Sequence, residues 1–214
     1  ILGDYPGKFE QLEWIDENTL QYLSSKGVYS ELGTVLANGE DLNVQVPTGG
    51  VILNAFARAA DGSFLFDAES PAHPDEVYKM GSGDKEPVRV TNSNPWLDDV
   101  ALGKQEVHTF TTEDGYDIEG ILIYPVGYEK GKRYPLINVI HGGPEAHIDN
   151  GWVTSYSQSG QVAAGEGIAV FYPNYRGSTG RGLEFAMSSQ RDLAGKEFDD
   201  IVEGVDYLIN EGIV

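Results

Sequence analysis

A pattern repeated at a spacing of 44 residues constrains the first half of this chain more than any other feature. Leu20 and Tyr22 recur as Phe64 and Phe66. The turn Ala37-Asn38-Gly39-Glu40 recurs as Gly81-Ser82-Gly83-Asp84, and Val46 recurs as Val90. Short alternating or aromatic-rich runs surround these positions: Leu20–Leu23, Leu32–Leu36, Leu42–Val46, Val51–Phe56, Phe64–Phe66, Val77–Met80 and Val88–Val90. Asp16-Glu17-Asn18, Ala37-Asn38-Gly39, Gly49-Gly50, Asp61-Gly62 and Gly81-Ser82-Gly83 separate them. Such runs and breaks predict strands joined by reverse turns. Nothing here keeps a 3.6-residue apolar period over three turns. A period of about 40–50 residues with four short strands per unit is the grammar of a propeller blade. Two units do not close a ring of about 4–8 blades, and an ordinary β-sandwich piece fits the same spacing.

The grammar changes near residue 107. Val107–Thr112 and Ile118–Tyr124 read as strands around the turn Glu113-Asp114-Gly115. Pro135–Ile140 and Gly167–Tyr172 are mostly apolar runs, the pattern of strands buried on both faces. Trp152–Ala164 between them is predicted to be a weakly patterned helix. A clearer helix runs from about Lys196 to Glu211. Phe198, Ile201, Val202, Val205, Leu208 and Ile209 form one stripe on it, with Asp199, Asp200, Glu203 and Asp206 facing away. Gly212 is its C-terminal cap candidate. Alternating strands and helices predict an α/β sheet with helices packed on it. Three segments follow: 1–94 as two β-rich blades, 95–106 as a connection, and 107–214 as an α/β unit.

Charge and composition exclude several functions. Fourteen Lys and Arg against 34 Asp and Glu give a net charge of −20, the opposite of a nucleic-acid footprint. The same balance disfavours adsorption to anionic membranes, and no stretch approaches the ~20 apolar residues of a span. The acid excess is spread over both halves, as a solvated surface rather than a tail. There is no cysteine, so this segment holds no disulfide, thiol nucleophile or thiolate metal site. The chain begins at Ile1 without a charged n-region or apolar h-region, which reads as a mature form or an internal fragment.

The sharpest chemical signal is His141-Gly142-Gly143-Pro144, directly after an apolar strand. A glycine-rich loop in this place can present a backbone N–H to negative charge developing on a carbonyl oxygen. Glycine permits the close approach. Pro144 has no N–H, so the donor is Gly142 or Gly143, with Gly143 the first choice. Pro144 also biases Gly143 toward an extended conformation. A strand-to-helix turn that merely needs glycines is the other reading.

The second signal is Pro173-Asn174-Tyr175-Arg176-Gly177-Ser178-Thr179-Gly180-Arg181-Gly182, again after an apolar strand. It fits neither the P-loop nor the dinucleotide fingerprint. A structural role is expected, with the Arg176 guanidinium tying loop carbonyls and a carboxylate together. Of His73, His108, His141 and His147, three are expected at the surface, and no metal-ligand spacing occurs. Asp98-Asp99 and Asp199-Asp200 are sequence neighbours that point in different directions, so they are poor dyads. No Gly-x-Ser-x-Gly occurs. Ser178, in Gly-Ser-Thr-Gly, is one residue short of that nucleophile elbow.

Taken together, the motifs resemble the prolyl oligopeptidase family of serine peptidases, in its acylaminoacyl-peptidase and dipeptidyl-peptidase-like branch. The resemblance rests on Asp114-Gly-x-x-Ile-x-Gly120, Tyr134-Pro-Leu…His141-Gly-Gly-Pro144, Asn174-Tyr-Arg-Gly-Ser-Thr-Gly180, the helix Glu197…Asp206-Tyr-Leu-Ile209 and Ser70-Pro-Ala-His-Pro-Asp-Glu-Val-Tyr78. It implies an incomplete α/β-hydrolase, its N-terminal part, preceded by the last blades of a β-propeller. The implied activity is cleavage of short peptides near their N-terminus by Ser-His-Asp acyl transfer, with no metal or organic cofactor.

Gly143 and Gly142 would supply the oxyanion hole. His141, Pro144, Tyr175, Arg176 and Gly177 would be structural parts of the active-site loops. The Ser, Asp and His of the triad would follow Val214, so this segment is expected to be inactive. The rest of the same polypeptide would be needed for a complete fold, and the segment alone is not expected to be a stable monomer. A homo-oligomer is compatible with this reading, as are cytoplasmic, periplasmic and secreted locations. A carboxylesterase-type α/β-hydrolase fragment and a non-catalytic propeller-containing binding protein are the alternatives. The repeat favours the peptidase over a simple esterase.

Overall fold

A computed structural model of the protein describes residues 3–143 and 145–214. The residue Pro144, assigned above to the active-site loop, lies outside them. Among the described residues, twelve strands form three four-stranded sheets.

The first sheet is β1 (Lys8–Trp14), β2 (Thr19–Lys26), β3 (Tyr29–Leu36) and β4 (Asn43–Val46). The second is β5 (Ile52–Arg58), β6 (Phe64–Ser70), β7 (His73–Met80) and β8 (Val88–Arg89). Each sheet keeps chain order and every pairing is antiparallel. β5 begins 44 positions after β1, and β7 begins 44 positions after β3, so the sequence period is the period of the sheets. The two sheets share one core. Leu23, Leu32 and Val46 of the first meet Leu53, Phe56, Phe64, Phe66, Tyr78 and Met80 of the second. The Gln11 side chain completes the join, donating to Phe56 O at 2.9 Å and accepting from Phe56 N at 3.0 Å. β1 is absent from the sequence reading because Lys8, Glu10 and Glu13 interrupt any apolar run; most of its residues face solvent.

The third sheet contains β9 (Gln105–Thr111), β10 (Asp117–Ile123), β11 (Leu136–Asn138) and β12 (Ala169–Asn174), in the order β11-β12-β10-β9. β11 and β12 are parallel; β10 is antiparallel to β12 and β9. All six residues of β12 are buried. The strand period of two sorts β10 into two faces. Ile121 and Ile123 meet Ala163 and Ala164 of α1 (Gly160–Gly165), whereas Ile118 and Leu122 join Leu208 of α3 (Lys196–Asn210). A shorter α2 (Gly182–Ala186) lies between them in sequence. Gly204 lets α3 approach closely, since a Cβ there would lie 3.0 Å from Phe110 Cζ. Gly212, at φ 75°, ends α3 as expected.

The tip of the β2–β3 hairpin plugs into this second half. Val28 is buried beside Ile121, Val153 and Tyr172. Gly27 N donates to Gly180 O at 2.7 Å, and Asn150 N donates to Val28 O at 2.8 Å.

Four expectations are corrected here. The helix over Trp152–Ala164 is confined to its end. Thr154 Oγ1 accepts from Gln161 N, and Ser155 pairs with Gln158 as an isolated bridge, so the preceding stretch is not helical. Within Pro135–Ile140 only β11 is strand, and it is an edge strand with half-buried residues; Ile140 is exposed. The apolar stripe of α3 is split. Asp200, Gly204 and Leu208 form the buried row, while Phe198, Val202 and Ile209 are exposed. Asp200 therefore faces inward, not away, because a buried cation awaits it. Finally, the histidines are not surface residues: His73 and His141 are buried, and His108 and His147 are half-buried.

Candidate functional site

β11 and β12 are parallel, so their carboxyl ends open at the same edge of the sheet, where α/β proteins place ligand loops. His141-Gly142-Gly143 continues from β11, and Tyr175-Arg176-Gly177-Ser178 continues from β12. Sequence reading singled out both, and the fold brings them together.

His141 is the hinge between them. Its ring stacks on Tyr175 with centroids 4.5 Å apart and an interplanar angle of 12°. The Tyr175 hydroxyl donates to His141 O at 2.6 Å. His141 Nε2 lies 3.0 Å from Ser178 Oγ, which itself donates to Tyr175 O at 2.6 Å. The single hydroxyl proton of Ser178 is thus committed to a carbonyl, so His141 Nε2 carries the proton of its own hydrogen bond. Burial pushes the His141 pKa below its ordinary value, which keeps the ring neutral. Ser178, dismissed from the sequence as a failed nucleophile elbow, is fully buried and serves as a strut.

Beyond this hinge the chain is open. Gly142 and Gly143 are exposed, and among the described residues, chain neighbours apart, no atom lies within 4 Å of where a Cβ would sit. Gly143 has φ 59°. That corrects the expected extended conformation: without a Cβ, glycine enters the left-handed region freely, and this overrides the bias of a following proline.

Arg176 anchors the second loop from below. It makes the expected structural tie, but to two carboxylates rather than to loop carbonyls. Its Nε and Nη2 donate to Asp200, and its two Nη atoms donate to the Asp114 oxygens at 2.8 Å. Arg176 N also donates to Asp200 Oδ2 at 2.8 Å. Lys196 Nζ reaches Asp114 at 2.7 Å, and the Tyr116 ring lies 4.4 Å from the guanidinium carbon. These partners hold the Asp114 carboxyl well below the usual carboxylate range, Arg176 being the first cause. Gly177, at φ 92°, turns the chain away and donates to Phe185 O at 3.1 Å.

Sequence reading missed Asp114 and Asp200 as partners of Arg176. They lie 62 and 24 residues away, and only the fold relates them. His147, half-buried, bridges Thr179 Oγ1 at 2.8 Å and Asp149 Oδ1 at 3.1 Å, stitching the two loops a second time.

A cleft of about 710 Å³ opens beside the loops. Gly7 and Lys8 of the first half line one side; Glu145, Thr179, Leu183 and Met187 are among those lining the other. Mixed apolar and polar walls between two structural units suit a small organic or peptide ligand.

Known proteins share this architecture. Residues 154–214 match the prolyl oligopeptidase family. An uncharacterized peptidase, YuxL, of Bacillus subtilis is 34% identical over 158 residues, covering 73% of this chain and 23% of the relative. Dipeptidyl-peptidase 5 of Aspergillus oryzae is 27% identical over 212 residues, covering 97% of this chain and 29% of that protein. Among solved structures, acylaminoacyl peptidase of Pyrococcus horikoshii superposes with a TM-score of 0.79 at 22% identity, over 98% of this chain and 32% of that one. Residues 154–214 thus carry the match to the prolyl oligopeptidase family, and relatives named as peptidases align along the chain. It spans about a quarter to a third of the length of the relatives it matches.

Proposed function

We propose that this chain is part of a serine peptidase of the dipeptidyl or acylaminoacyl type, acting on short peptides near their N-terminus. In this reading the two repeated sheets are blades of a β-propeller, and the third sheet with its helices is the opening portion of an α/β-hydrolase. The observation that carries it is the exposed Gly142–Gly143 pair at the end of β11, held by a buried network at the carboxyl edge of the sheet. The comparisons support the class: relatives named as peptidases match along the chain.

The chemistry is acyl transfer. A serine oxygen bonds to the scissile carbonyl carbon while its proton passes to histidine. The carbonyl π-electrons move onto oxygen, where the Gly143 N–H stabilises them. Collapse expels the amine, which takes the proton from histidine; water then releases the acid by the same steps. The nucleophile, base and aspartate are proposed to lie beyond Val214. Isolated 1–214 is therefore expected to be inactive. The full-length protein should label with a fluorophosphonate at one serine and cleave fluorogenic dipeptidyl or N-acylaminoacyl substrates. Failure to label any serine would falsify the hydrolase reading.

Further chain from the same polypeptide is proposed to cover the second half. Among the described residues β11 is an edge strand and the buried Asn138 Oδ1 has no partner, and α3 exposes Phe198, Val202 and Ile209. An apolar edge is an aggregation hazard, so isolated 1–214 should self-associate. A cooperative thermal transition from monomeric 1–214 would overturn this.

A further inference from the structure

The loop residues Gly142 and Gly143 are exposed. Among the described residues, chain neighbours apart, no atom lies within 4 Å of either glycine's Cβ direction, and Gly143 sits at a φ that only glycine adopts cheaply. A donor can stabilise an oxyanion only if its direction is set in advance. Something behind the loop must therefore aim it. Behind it stands a closed circuit of hydrogen bonds: Tyr175 OH to His141 O, His141 Nε2 to Ser178 Oγ, and Ser178 Oγ to Tyr175 O. The carbonyl that Tyr175 grips belongs to the peptide plane His141–Gly142. Its opposite end is the Gly142 N–H, one residue before Gly143. Because the peptide is planar, fixing that oxygen fixes the direction of the N–H and the starting point of the Gly143 plane.

We propose that Tyr175 and Ser178 are positioning residues for the oxyanion donors, aiming the Gly142–Gly143 peptides through the His141 carbonyl and ring. This rests on the acyl-transfer reading above. Neither side chain touches substrate. Both are buried, and Ser178 holds one proton already committed to Tyr175 O, so it is not a nucleophile in waiting. The circuit also explains why a hydroxyl-bearing side chain follows Arg176-Gly177 where an apolar residue would fill the same space. A methyl group would leave both His141 Nε2 and Tyr175 O without this partner.

The test uses the full-length protein and two substitutions, Tyr175→Phe and Ser178→Ala. Tyr175→Phe keeps the ring stacked on His141 and removes the hydroxyl's bond to its carbonyl, with the longer 3.5 Å contact to its Nδ1. A misaimed donor should lower kcat by about 10–100-fold and leave KM within about twofold. Affinity for a peptidyl trifluoromethyl ketone, which forms a tetrahedral oxyanion adduct, should fall by the same factor. Simple loss of folded protein would lower the number of active sites without changing adduct affinity per site, so active-site titration separates the two. A wild type that hydrolyses peptides, with variants equal to it in kcat and adduct affinity per titrated site, would overturn the positioning role. A wild type that neither hydrolyses peptides nor labels would instead sink the acyl-transfer reading itself.

Discussion

The two halves of the molecule are each built on four-stranded sheets, yet they spend their polar residues differently. In the repeated half, nearest neighbours in sequence pair as hairpins and the shared core is aromatic and aliphatic. Its two buried carboxylates are Glu31, met by the hydroxyls of Tyr5 and Tyr22 and by Lys26, and Glu76, met by Thr91, Ser93 and Arg89. In the second half one fully buried strand, β12, organises partners far apart in sequence. At its end Asn174, Arg176 and Ser178 are all buried, with His141 and Asp200 beside them. Buried polar groups must be paired to be tolerated. In the second half they gather at one strand end and tie together the two loops that leave β11 and β12.

The sharpest break of this comparison is Arg176→Ala. It leaves the fully buried Asp200 with the backbone N–H of residue 176 and no cation, and Asp114 with Lys196 and the Thr112 hydroxyl. Removing one partner of a buried ionic cluster costs about 3–5 kcal/mol. An exposed pair such as Lys132–Glu129 contributes about 0–1 kcal/mol. Chemical denaturation of the full-length protein should resolve the two. A loss below about 1 kcal/mol for Arg176→Ala would mean that the cluster is solvated and the contrast between halves is superficial.

A smaller effect sharpens the comparison from the packing side. Each half hides a glycine beneath an aromatic ring: Gly33 of β3 under Tyr22, and Gly120 of β10 under Phe171. In Gly120→Ala the new methyl would collide with the Phe171 ring edge, and in Gly33→Ala with the Tyr22 phenol and Asn43 O. Overpacking of this kind costs about 1–3 kcal/mol. Similar losses in both would show equal rigidity, measured as shifts in denaturation midpoint. Loss in Gly120→Ala alone would mean that the repeated half yields where the buried strand does not.

How much of this was readable from residues alone follows the same division. The repeat was legible because its strands and turns are local: Phe64–Phe66 and Gly81–Asp84 announce themselves without knowledge of the partner sheet. β12 was legible from its apolar run, and the two loops from their glycines. What was hidden depended on contacts distant in sequence. Asp200 looked like a solvent-facing acid of an amphipathic helix until Arg176, 24 residues earlier, claimed it. The extent of the helix before β12 was hidden because Thr154 and Ser155 make local bonds that compete with it. Gly143 was misread because the bias of a following proline is weaker than the freedom of glycine.

The mildest expected effect lies on the seam between the halves. Glu69, at the end of β6, faces Gly151 and Trp152 of the second half. Burial is the main cause that raises its pKa from about 4.5 to about 7, and the carboxylates of Asp75, Asp149 and Asp67 add to it; the Trp152 N–H opposes them. His147 pairs with Asp149 nearby. Between those two values the folded protein keeps a proton that the unfolded chain releases. Stability is therefore full below about pH 4.5 and falls as pH rises toward about 7. Glu69→Gln abolishes that titration. It should match wild type at pH 4 and exceed it at pH 8, by on the order of 1 kcal/mol once solvent screening is allowed for. Thermal unfolding of both proteins across this range decides it. Parallel curves would mean that the seam hydrates Glu69 freely, and that the two halves meet through the hairpin tip at Val28 rather than through this carboxyl.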